Sequence, residues 1–225
     1  MGQDGPGDLT MVPVSMGTTI VATTFNGGVI LAADSRTSSG AYIGNRATDK
    51  ITPLCDNVYC LRSGSAADTQ AIAGYVQHFI AQHQAEENDR ISVKTAATLV
   101  RTLAYNNKDN LSAGLIVAGW DKHGGEQIYS INLGGTMTQV PFTMSGSGST
   151  YIYGYADKNW RPNMTQEEAH DFVQRCIRYA IAWDASSGGC IRTVTITKDG
   201  VKRVFIPGEE IPPCFGELPR EARVG

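Results

Sequence analysis

Thr18-Thr19-Ile20-Val21-Ala22-Thr23-Thr24-Phe25, then Asn26-Gly27, then Val29-Ile30-Leu31-Ala32-Ala33 reads as a β-hairpin. Residues 18–25 alternate β-branched and small side chains, Asn-Gly is a strong tight-turn signal, and residues 29–33 form a second apolar run. The hairpin ends at Asp34-Ser35-Arg36. Thr37 to Lys50 are polar and dotted with glycine, with a short break at Ala41 to Gly44. Val58 to Leu61 reads as another strand, stopped by Ser63-Gly64-Ser65. Ile72, Val76, Phe79, Ile80 and His83 fall at helical spacing and predict an amphipathic helix from about Ala66 to Gln84. A second helix is expected from about Val93 to Tyr105, with Leu99, Val100 and Leu103 as its apolar face.

Further strands are expected at Ala113 to Gly119, Gln127 to Leu133, Pro141 to Ser145, Cys190 to Thr197 and Val201 to Ile206. Between them lies a long helix. The spacing of Thr165 and Glu168 makes a capping box, and Ala169, Phe172, Val173, Cys176, Ile177, Ala180 and Ile181 continue an apolar stripe. Strands and helices that come in groups predict an α+β layered sandwich rather than a βαβ repeat. The tail from Pro207 to Gly225 is rich in proline and charge and is expected on the surface or against a neighbour.

A chain of 225 residues with 41% hydrophobic content fits one domain or two small ones with a buried core. Its charged fraction of 18% lies below the roughly 25% usual for soluble domains, and 25 glycines are more than expected. A net charge of −3 and the lack of a polybasic run argue against a nucleic-acid binder. No apolar run is long enough to span a bilayer. The first 17 residues lack Lys and Arg, which argues against a secretory or transit signal.

Cys55, Cys60, Cys176, Cys190 and Cys214 are an odd, scattered set without a C-x-x-C pair, expected as reduced cytosolic thiols packed in the core. Without a secretory route, the glycosylation patterns at Asn110 and Asn163 are discounted. The four histidines, His78, His83, His123 and His170, do not make a metal site. Gly146-Ser147-Gly148-Ser149 is too short for a phosphate-binding loop, so no cofactor is expected.

The Gly17-Thr18-Thr19 boundary places a hydroxyl residue at the start of the first strand. If the Gly17–Thr18 bond were cut, Thr18 would carry its own α-amine beside its hydroxyl. An α-amine titrates near 7.7 to 8, so a useful fraction is neutral and can serve as base for that hydroxyl. Taken alone the signal is weak, because most such threonines simply favour β structure.

Thr18-Thr-Ile, Gly28 to Arg36, Asp49-Lys50, Arg62-Ser-Gly64-Ser-Ala-Ala-Asp68-Thr-Gln70, Gly146-Ser147-Gly148 and Asp184-Ala-Ser-Ser187-Gly-Gly189 resemble the catalytic β subunits of the 20S proteasome. The resemblance runs in order from about Thr18 to Pro207. It implies a four-layer αββα fold of the N-terminal nucleophile hydrolases, with residues 1–17 a propeptide cut off at Gly17–Thr18 by the chain's own threonine. Residues 18–225 would then be a single peptidase domain. It also implies other β subunits and α rings as partners in a 28-subunit core, polypeptide substrates, and a location in cytoplasm and nucleus.

Thr18 would be the nucleophile. Lys50 matches the lysine whose charge disfavours protonation of the amine and stabilises a developing alkoxide. Asp34 matches the carboxylate that orients that lysine, although by residue type alone the two could be a surface ion pair. Gly64 matches the oxyanion donor, just before the first helix, whose amino end adds positive partial charge. Ser147, Asp184 and Ser187 match a group that hydrogen-bonds around the threonine amine, or else cap local structure.

Arg62 matches the bottom of the S1 pocket, where a guanidinium would pair with an acidic P1 side chain, as in the caspase-like type. A solvated strand-end charge is the alternative. Thr37, Thr48, Thr52, Ala66 and Gln70 match other pocket positions, and Ser38 stands where threonine is commoner but where the expected contact is through the backbone. A non-catalytic structural β subunit is the rival reading, and such a chain is expected to lack the glycine before the threonine, or the lysine. A bacterial-type two-ring protease of the same fold is a second rival.

Overall fold

The computed structural model describes residues 17–39, 42–87, 89–109, 111 and 113–214. The leader before Gly17, part of the expected break at Ala41 to Gly44, the pattern at Asn110 and the tail after Cys214 lie wholly or partly outside the described residues.

In chain order the elements are β1 (Ile20–Phe25), β2 (Gly28–Ala33), β3 (Thr37–Ser39), β4 (Tyr42–Asn45), β5 (Ile51–Cys55) and β6 (Val58–Gly64). Two helices follow, α1 (Ala66–Glu87) and α2 (Val93–Asn106). Then come β7 (Ala113–Asp121), β8 (Gly125–Ile131), β9 (Met137–Gln139) and β10 (Phe142–Ser145). The chain continues through α3 (Ser149–Asn159), α4 (Gln166–Trp183), β11 (Ile191–Thr197) and β12 (Gly200–Ile206). Two antiparallel five-stranded sheets result, ordered β10-β1-β2-β11-β12 and β5-β6-β7-β8-β9, with β3 and β4 a separate small ribbon.

Side-chain alternation explains why the central strands are apolar throughout. Along β2, Val29, Leu31 and Ala33 face the other sheet, while Ile30 and Ala32 face α4. Along β6, Tyr59 and Leu61 face the first sheet, whereas Val58 and Cys60 pack under α1 and α2. Three stacked cores follow: helices on sheet, sheet on sheet, sheet on helices. This is the four-layer αββα sandwich, and strands covered on both faces need no polar side.

The hairpin forms as its sequence predicts, with Phe25 opposite Gly28 and Gly27 at φ +103°. The capping box at the start of α4 also forms: Thr165 Oγ1 accepts from Glu168 N at 3.2 Å, and Glu168 Oε2 accepts from Thr165 N at 2.9 Å.

Elsewhere the sequence expectations need correction. α3 and β5 are additional, as are β3, β4 and β9. Only Ser149, Ile152 and Ala156 of α3 are buried, with Tyr151 and Tyr153 exposed, so its stripe is too thin to stand out. β5 contains Pro53, which argues against a central strand but is tolerated here because β5 is an edge. On α1 the buried face is Thr69, Ile72, Ala73, Val76 and Ile80, and Phe79 and His83 lie outside it in solvent. β8 ends at Ile131, leaving Leu133 in the following turn and exposed.

Leu61 is fully buried between the sheets. Leu61→Ala is expected to lower stability by about 2–5 kcal/mol through lost transfer energy and a cavity. Urea unfolding should show a lower midpoint with an unchanged slope.

Candidate active site

The β1–β2 register puts Ile20 opposite Ala33, so the residues just before β1 meet those just after β2. Thr19 N donates to Asp34 Oδ1 at 2.9 Å, and Asp34 N donates to Thr19 O at 3.2 Å. Lys50, immediately before β5, brings Nζ to 2.7 Å from the same Oδ1. Asp34 Oδ2 accepts from Gly188 N at 3.0 Å and Arg36 N at 3.2 Å. Asp34 is fully buried and Lys50 is 5% exposed, so this is an interior ion pair and the surface alternative fails. Burial pushes the Lys50 ammonium below its ordinary value, and Asp34 opposes that shift by attraction and hydrogen bonding.

Thr18 lies at the centre of this arrangement. Its Oγ1 donates to Gly17 O at 2.7 Å, and Lys50 Nζ donates to the same carbonyl at 3.2 Å. Lys50 therefore bridges the carboxylate and the carbonyl of the Gly17–Thr18 bond.

On the other side, Thr18 N donates to Ser147 Oγ at 3.2 Å. Ser147 Oγ and Ser187 Oγ each donate to Asp184 Oδ2 at 2.7 Å. With its proton on Asp184, Ser187 Oγ accepts from Thr19 Oγ1 at 2.7 Å. Asp184 is the C-cap of α4 and Ser187 lies in the same connection to β11, while Ser147 follows β10, so two separate segments meet beside Thr18, and of these three residues Ser147 alone touches its nitrogen.

Gly17 is packed so closely that an added Cβ would lie 2.0 Å from Ser186 Cβ and 2.2 Å from Ser186 O. Only glycine fits there. Gly64 has φ +98°, a backbone conformation that favours glycine, where β6 turns into α1.

A small pocket opens beside Thr18, lined by Lys50, Gly64, Arg62, Thr37, Thr48, Ala66, Thr69 and Gly17. Thr37 Oγ1 donates to Thr48 Oγ1 at 2.8 Å on its wall. Arg62 is held by three neutral acceptors: Nε to Thr52 Oγ1 at 2.9 Å, Nη2 to Asp49 O at 2.9 Å, and Nη1 to Thr69 Oγ1 at 3.4 Å. Among the described residues no carboxylate pairs with it. It is half-buried and lines the pocket, not a freely solvated charge.

Of the residues expected in the pocket, Thr37, Thr48, Arg62 and Ala66 line it. Thr52 acts behind Arg62, Ser38 is buried away from the lining, and Gln70 is exposed on α1. Thr69 also lines the pocket, beyond the positions expected from the sequence. It sits three residues after Ala66 on α1, hence on the same helical face, and that spacing was the available signal. No group of His, Cys, Asp and Glu among the described residues is arranged to hold a metal ion.

Residues 14–196 match the family model described as "Proteasome subunit". The chain is 55% identical over 206 residues to proteasome subunit beta type-6 of Arabidopsis thaliana, covering 92% of this chain and 88% of that one. It is 55% identical to beta type-6 of Dictyostelium discoideum, over 88% and 93% of the two chains. Identity to proteasome subunit beta type-1 of Saccharomyces cerevisiae is 53%, over 87% and 91%.

Asp34→Ala leaves a buried ammonium without its partner, and is expected to cost about 3–5 kcal/mol near neutral pH. The folded pKa of Lys50 lies below the ordinary 10.5, so between the two values the unfolded chain binds more protons and stability rises with pH. Losing Asp34 extends that window downward. The deficit should therefore narrow as pH rises through values below 10.5, read from unfolding midpoints across pH. A pH-independent deficit would mean that Lys50 is not the stranded group.

Proposed function

This chain belongs to the proteasome subunit family, as a β subunit, and on that footing we propose that it is a threonine endopeptidase with a preference for acidic P1 residues. The observation that carries the reading is a single pocket in which Thr18, Gly64, an acid-free Arg62 and Lys50, held from behind by the buried Asp34, converge. A purely structural subunit would have no use for that convergence.

The chemistry begins with the Gly17–Thr18 bond. With that peptide intact, Thr18 N is an amide and cannot act as a base, so the uncut chain is inactive. Its carbonyl lies against both the Thr18 hydroxyl and the Lys50 ammonium, which supports this bond as the cleavage point. Once the bond is cut, the freed amine takes the proton from Thr18 Oγ1 as that oxygen attacks a substrate carbonyl. Lys50 stabilises the developing negative charge, and the Gly64 N–H at the head of α1 receives the oxyanion. The amine returns the proton to the leaving nitrogen, leaving an acyl ester on Thr18. Water, deprotonated by the same amine, then hydrolyses the ester and restores the hydroxyl. Ser147, with its own proton committed to Asp184, offers a lone pair to the Thr18 nitrogen and holds it in place.

Specificity follows from Arg62. Its acceptors are neutral, so a P1 carboxylate would meet an uncompensated guanidinium, and an apolar P1 group would desolvate that charge without return. Assembly with other proteasome subunits, in a core of stacked rings in cytoplasm and nucleus, would supply the chamber in which polypeptides reach the site.

Amino-terminal sequencing of the chain from its native complex is expected to return Thr18. A persistent leader in the assembled particle would overturn the mechanism. Thr18→Ala should lower cleavage after Glu by more than about 10³-fold, while Gly17→Ala should retain the leader because its methyl has no room beside Ser186. Arg62→Leu should cut the preference for Glu over Leu at P1 by about ten- to hundredfold, measured with paired fluorogenic peptides.

A further inference from the structure

Asp49 is the acidic residue placed to spoil the Arg62 pocket. Its own carbonyl already accepts from Arg62 Nη2 at 2.9 Å, which brings its side chain within one residue's reach of that guanidinium. The carboxylate is turned elsewhere. Oδ1 accepts from Ile51 N at 2.9 Å, and Oδ2 is bound by Arg203 Nη2 at 2.5 Å. Arg203 belongs to β12, the edge of the first sheet, and Asp49 precedes β5, the edge of the second. Because Arg203 lies opposite Val194, which is packed between the sheets, its side chain points across the gap toward β5, where Nη2 also reaches Ile51 O at 3.4 Å.

We infer that Arg203 is a specificity-positioning residue: by holding the Asp49 carboxylate at the sheet edge, it keeps the charge of Arg62 free for an acidic substrate side chain. The inference rests on the acidic-pocket reading above. Arg203 touches no substrate in it and acts through Asp49. The arrangement pairs two cations with one anion and assigns the anion to the cation outside the pocket. Both partners of the outer pair are 42% exposed, so solvent screens their attraction and the fold does not depend on it. Their geometry matters through where the negative charge is kept.

The test uses the assembled particle carrying Arg203→Met, with peptides bearing Glu or Leu at P1. Released from Arg203, Asp49 should compete for Arg62, raising KM for the Glu peptide about three- to tenfold with little change in kcat. Adding Asp49→Asn to Arg203→Met removes the competing charge and should restore the KM. If KM is unmoved by Arg203→Met while Arg62→Leu abolishes the Glu preference, the inference fails and the pocket reading stands. If Asp49→Asn does not rescue, Arg203 is only a clasp between sheets, and the inference fails again. If Arg62→Leu leaves the preference intact, the pocket reading itself falls and takes this inference with it.

Discussion

The site and much of the fold around it depend on burying one lysine charge. Removing an ammonium from water costs several kcal/mol even after relaxation, and a single carboxylate repays this only when its own lone pairs are also satisfied. Asp34 meets that condition with Lys50 and three backbone N–H groups, from Thr19, Arg36 and Gly188. Those donors come from the start of β1, the end of β2 and the loop before β11. Holding the lysine thus requires all these segments to be in place, and the same requirement brings Thr18 to the pocket.

A second polar centre balances the first. Asp184 gathers Ser147, Ser187 and the Ser186 N–H, and Ser187 passes the contact on to Thr19. Thr18 and Thr19 therefore sit between two buried carboxylates, one paired with a cation and one satisfied by two hydroxyls and one backbone amide. The first places a positive charge by the hydroxyl of Thr18, and the second fixes its nitrogen. Neither centre alone would position both atoms.

Much of this could be read in the sequence, for identifiable reasons. The hairpin is local and its Asn-Gly turn has a chemical signature, and the α4 capping box likewise lies within four residues. The pairing of Thr18 with Lys50 and Asp34 is legible only through resemblance to a family, because residues 16 and 32 positions apart carry no local sign of contact. β5 was hidden by Pro53, which only an edge strand tolerates, and α3 by its sparse buried face. The work of Thr52 and Thr69 is invisible in composition, since both matter through hydroxyls aimed at one guanidinium. Arg203 is more remote still: its partner lies 154 residues away, and only the stacking of two sheets brings them together.

The two-sided burial of the central strands has a consequence for how the chain finds its pairing. In a half-exposed strand, sliding by one residue would expose the whole apolar set, so hydrophobicity alone prevents the error. In β2 a slide would exchange Ile30 for Leu31 and Ala32 for Ala33, apolar for apolar, with little to oppose it. What distinguishes the right alignment is polar and sits at the ends: the Asn26-Gly27 turn at one, and Asp34 with its four donors at the other. The groups that prepare Thr18 for chemistry are thus also the index marks of the sheet, and a substitution among them puts the fidelity of strand pairing at stake as well as activity.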